Sequence, residues 1–83
     1  MDKNDEDIYS NLIRMQMVNL RKSKGLTQKQ LSKKSGLSTK SISNIESEDG
    51  ASPTLRSIIK YLHTLDSDLY IRENSNNNQI TIE

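Results

Sequence analysis

The chain has 83 residues, with 31% hydrophobic positions, three tyrosines as its only aromatics and a formal net charge of +1. A chain this short buries only about 60% of the surface its unfolded form exposes, so it supports one small domain. It has no cysteine, which excludes disulfides and thiolate metal sites. No apolar run is long enough to span a bilayer. The first residues are acidic, unlike a secretory signal, so the expected setting is cytoplasmic.

The small net charge hides a segregation. Residues 1–13 hold four acids and one lysine, whereas residues 14–40 hold Arg14, Arg21, Lys22, Lys24, Lys29, Lys33, Lys34 and Lys40 and no acid. Residues 41–83 hold seven acids and three bases. Eight positive charges without a counter-charge attract polyanions, although a solvated helix face has the same composition.

Residues 1–7 read as a disordered acidic tip, 8–67 as the folded domain and 68–83 as an extension. Ile8, Leu12, Ile13, Met15, Met17, Val18 and Leu20 predict a first helix from about Ile8 to Ser23, ended near Gly25. Thr27 and Gln30 form a capping-box pair, which opens a short helix over Gln28–Ser35 with Leu31 inward. Gly36 ends that helix. Ser38 caps a third helix, Thr39 to about Ser47, with Ile42 and Ile45 inward. Ser52-Pro53 reads as an N-cap followed by proline at the first helical position. The fourth helix is then expected over Pro53–Leu65, with Leu55, Ile58, Ile59, Leu62 and Leu65 in one stripe.

Beyond it the period changes to alternation. Leu69 and Ile71 predict one strand and Ile80 and Ile82 another, separated by Asn74-Ser75-Asn76-Asn77-Asn78. A lone hairpin is marginal in water. These four residues are therefore candidates for dimerisation, with the strands pairing within one chain or between two.

The segment from Leu26 to Glu46 holds two capped short helices around a glycine turn. Neither helix is long enough to be stable alone, so both must lean on the helices before and after. In a helix-turn-helix domain such a second helix lies in the DNA major groove. The segments Leu26-Thr27-Gln28, Gly36-Leu37-Ser38, Ser41-Ile42-Ser43-Asn44-Ile45-Glu46 and Ser52-Pro53-Thr54-Leu55 resemble the Xre family of Cro/CI-type helix-turn-helix regulators. The resemblance covers roughly 12–69. It implies a mainly α, four-to-five-helix lambda-repressor-like domain, with the C-terminal strand or hairpin serving dimerisation.

It also implies roles. Gln28 and Ser38 would bind phosphate, aided by the free N–H groups of their helix ends. Thr39, Lys40, Ser43 and Asn44 would face bases, where Lys suits guanine O6/N7 and Asn suits adenine N6/N7. Arg14, Arg21, Lys22, Lys29 and Lys33 would hold phosphates without reading sequence. Glu46 matches a position that stabilises the motif from within. The loop Glu48-Asp49-Gly50 departs from relatives in which this loop is basic. Asp68-Leu69-Tyr70-Ile71-Arg72 is similar to HipB-type antitoxins, in which such strands pair across a dimer.

The expected function is a sequence-specific repressor that binds an inverted repeat in double-stranded DNA as a homodimer. The alternative is an antitoxin that binds a toxin protein and regulates its own operon. No enzyme activity, metal or cofactor is expected, because His63 is the only histidine and no glycine-rich phosphate loop is present.

Overall fold

The computed structural model describes residues 3–73, with side chains from Asp5 onward. Four helices follow in order: α1 over Lys3–Ser23, α2 over Gln28–Ser35, α3 over Thr39–Glu46 and α4 over Leu55–Thr64. None among the described residues is long and apolar enough to cross a membrane.

α1 begins five residues before the predicted Ile8, so residues 3–7 are helix rather than a disordered tip. Asp5 and Glu6 occupy its first turn, where a carboxylate offsets the positive end of the helix dipole. Its far end closes around Gly25 at φ 74°. The Leu26 N–H returns to the Arg21 carbonyl at 3.3 Å and the Gly25 N–H to that of Lys22 at 2.9 Å. This pair of bonds satisfies carbonyls the helix leaves open and needs a residue that tolerates positive φ.

α2 and α3 start as the sequence predicts. Thr27 Oγ1 accepts from the Gln30 N–H at 3.1 Å, and Gln30 Oε1 accepts from the Thr27 N–H at 2.9 Å. Gly36 turns the chain at φ 80°. Ser38 Oγ accepts from the Ser41 N–H at 3.0 Å and opens α3. α4 starts later than Pro53. Its N-cap is Thr54, whose Oγ1 accepts from the Ser57 N–H at 3.1 Å, so Ser52 and Pro53 belong to the approach.

The core is Met17, Leu31, Ile42, Ile45, Tyr61, Leu62 and Leu65, with Leu20, Leu26, Leu37 and Ile58 packed against it. Every helix contributes. The predicted α4 stripe is rotated: Leu55 is 62% exposed, Ile59 is half-buried, and Tyr61 is fully buried. Residues 68–73 form no strand, and Leu69 and Ile71 are exposed. A strand needs a partner edge for its N–H and C=O groups, and the described residues supply none. Ile80 and Ile82 lie outside the described residues.

Candidate nucleic-acid interface

α3 has two sides. Ile42 and Ile45 point into the core, whereas Thr39, Lys40 and Ser43 are exposed. An open groove of about 500 Å³ runs beside it, lined by Lys40, Ser43, Asn44 and Ser47 and closed by Asp49 and Gly50 of the following loop. The outer face therefore offers hydroxyls and one ammonium, with an acidic residue bordering one end.

The inner face is held by one carboxylate. Glu46 Oε2 accepts from Arg21 Nε at 2.7 Å, and Oε1 accepts from Arg21 Nη2 and from Gln28 Nε2, each at 3.0 Å. Tyr61 Oη lies 2.5 Å from Glu46 Oε2 and 3.0 Å from the Met17 carbonyl. Its single proton goes to the carboxylate, since a charged acceptor makes the stronger bond. Arg21 also donates to the Leu26 carbonyl at 2.7 Å. The side chains of Arg21 and Glu46 are only 8% and 6% exposed.

Burial by itself pushes the Glu46 carboxyl up. The hydrogen bonds from Arg21, Tyr61 and Gln28, together with the Arg21 charge, outweigh it and hold the group below its ordinary value. Arg21 is raised in turn, chiefly by its bond to Glu46. Burial, then the bond to Glu46, pushes the Tyr61 hydroxyl far up, so it stays a donor.

This geometry redistributes the expected contacts. Arg21 is buried with its donors committed to Glu46 and Leu26, so it does not face phosphate. Arg14 Nη1 donates to the carbonyls of Asn44 and Ile45, both at 2.6 Å. These are among the last carbonyls of α3, which have no partner inside the helix and carry its negative end. Arg14 is therefore a cap for α3 and not a free cation.

Gln28 opens α2 as expected, half-buried, with one amide hydrogen given to Glu46 and a second remaining. Asn44 Nδ2 donates to the Ala51 carbonyl at 2.7 Å, which ties the acidic loop to α3. Gly50 makes that closeness achievable: a Cβ there would lie 2.5 Å from Asn44 Oδ1 and 2.6 Å from its backbone oxygen. Ser38, Lys22, Lys29 and Lys33 are exposed.

Sequence reasoning missed Tyr61 and the inward use of Arg14 and Arg21. One signal was available: Glu46 is the only acid between Asp7 and Glu48, next to the buried stripe of α3. His63 is exposed, with Nε2 3.4 Å from Asp68 Oδ1 at the surface. Among the described residues no group of three or more His, Cys, Asp or Glu could hold a metal ion.

No curated protein and no solved structure matches the chain. A helix-turn-helix family model matches residues 18–71, which takes in α2, α3, α4 and the end of α1. That span is well over half of the sequence, and the chain belongs to the helix-turn-helix family.

Proposed function

We propose that the protein is a sequence-specific DNA-binding transcriptional repressor that acts as a homodimer. The observation that carries this reading is the division of α3. Its inner residues are consumed by the core and by the Glu46 cluster, and its outer residues Thr39, Lys40 and Ser43 are left exposed beside a groove. Lys40 reads a guanine edge, with Thr39 and Ser43 beside it. Gln28 uses its second amide hydrogen for a phosphate, and Ser38, Lys22, Lys29 and Lys33 add phosphate contacts. Asn44 supports the loop and contributes to readout through it. The same reading makes the chain a binding module rather than a catalyst, placed in the cytoplasm.

Fluorescence anisotropy against DNA from upstream of its own gene tests this, with scrambled DNA as competitor and two salt concentrations. Specific binding is expected to exceed nonspecific by about 10³-fold or more. Lys40→Ala should cost about 1–3 kcal/mol on the specific site, whereas Lys29→Ala should weaken all DNA alike and lower the salt slope by about 1. Equal binding to both DNAs would overturn the reading. The antitoxin alternative shares this DNA face and adds a toxin protein as partner, which a pull-down separates.

A further inference from the structure

The first half of α1 faces solvent with an apolar side. Ile8, Leu12 and Met15 follow at i, i+4 and i+7, with Tyr9 and Ile13 alongside. They are between 47% and 58% exposed, and the buried residues of α1 are Met17 and Arg21, both in its second half. A few turns of helix carrying uncovered Ile, Leu and Tyr are marginal in water without tertiary packing. From Ile13 the apolar surface continues into a groove of about 500 Å³, lined by Met17, Leu20, Ile58, Leu62 and Leu69. Leu69, Tyr70 and Ile71 extend it, at 51%, 81% and 87% exposure.

We infer that this face is where a second copy of the chain docks, with the two α1 helices antiparallel and Leu12 beside the two-fold axis. Three observations select this occupant. First, the surface of α1 is ordered by charge: Asp5 and Glu6 lie in its first turn and the exposed Lys22 in its last, with Lys24 just beyond. Antiparallel pairing sets each acidic end near the other copy's basic end, where parallel pairing would set like against like. Second, the apolar residues lie between those ends, so the face complements itself as a two-fold contact requires. Third, the area suffices. Eight large apolar side chains with about half or more of their surface uncovered offer up to about 800 Å² per copy, comparable with one side of a stable interface. The inference rests on the homodimer proposed above and names the surface that forms it.

The chain has no cysteine, so Leu12→Cys gives a single thiol. Facing helices lie about 8–10 Å apart, which puts residues at a two-fold axis within reach of a disulfide. Mild oxidation should link most of L12C into dimers and leave K29C, on α2, largely unlinked. Sedimentation over about 1–100 μM, a range suited to an interface of this size, should show a wild-type dimer and a Leu12→Glu monomer. Circular dichroism should show L12E keeping its cooperative melt and losing at most the helical signal of the first turns of α1, because Leu12 lies outside the core. A monomeric wild type, or L12C linked no more than K29C, would overturn the proposal. Binding to a single half-site separates the two readings. If L12E keeps a Lys40-dependent preference while the wild type is monomeric, DNA reading stands and self-docking falls. If L12C links but no DNA is preferred, the reverse holds.

Discussion

Removing the Glu46 carboxylate should destabilise the whole domain. It accepts four hydrogen bonds, two from Arg21 and one each from Gln28 and Tyr61. Glu46→Ala would leave the Arg21 guanidinium buried without its counter-charge and the Tyr61 hydroxyl without its short acceptor. Breaking a buried pair by deleting one partner costs about 3–5 kcal/mol. An 83-residue domain has a total stability of roughly 4–12 kcal/mol at the usual value per residue. The variant should therefore melt at least about 12 °C lower, at some 4–8 °C per kcal/mol for a domain of this size. Urea unfolding followed by circular dichroism at pH 7 measures it. The decisive comparison is a cycle with Arg21→Met, Glu46→Met and the double variant. Replacing both partners by apolar groups removes the unpaired charge, so the double variant should be more stable than the sum of the singles implies, by about 2–3 kcal/mol. A Glu46→Ala cost under about 1 kcal/mol, or an additive cycle, would refute the reasoning.

Gly50→Ala should cost about 1–3 kcal/mol through overpacking, because its Cβ would meet both the side-chain and backbone oxygens of Asn44. Adding Asn44→Ala should recover only part of this in thermal melts, since the backbone contact remains. Stability should also fall in acid. The Glu46 pKa is lowered by folding, so its contribution is complete above the unfolded value of about 4.3. It is lost as the pH drops below that value and through the lower folded one. Melts from pH 7 to pH 3 should show a shallower decline for Glu46→Gln than for the wild type; parallel declines would contradict the assignment.

The sequence was most legible where local chemistry decides structure. The Thr27–Gln30 box, Gly36 and Ser38 fix the ends of α2 and the start of α3 through bonds spanning at most four residues, and these can be read along the chain. The start of α1 was misjudged because acids near an N-terminus suggest a solvated tip as readily as a helix start. The offset at α4 has the same origin, since Ser52-Pro53 and Thr54 are both acceptable openings, and only packing decides between them. Reading the site was harder. A count of positive charges between residues 14 and 40 cannot separate the cations that stay at the surface, such as Lys29, from those spent inside, such as Arg14 and Arg21. That separation depends on contacts between Arg21 and Glu46, or Arg14 and Ile45, which are tens of residues apart in sequence. Tyr61 was hidden for the same reason, because its hydroxyl finds its acceptor on another helix.

The two-sidedness of α3 has a consequence for how such a protein can change its target. Ile42, Ile45 and Glu46 are answerable to the interior, while Thr39, Lys40 and Ser43 touch little of it. Exposed positions of this kind tolerate substitution with small effects on stability. New side chains at 39, 40 and 43 can therefore be tried without renegotiating the fold. The helix works as a fixed mount with an exchangeable outer edge, and under the DNA-reading role proposed above a library confined to those three positions would vary what is recognised while the scaffold stays the same.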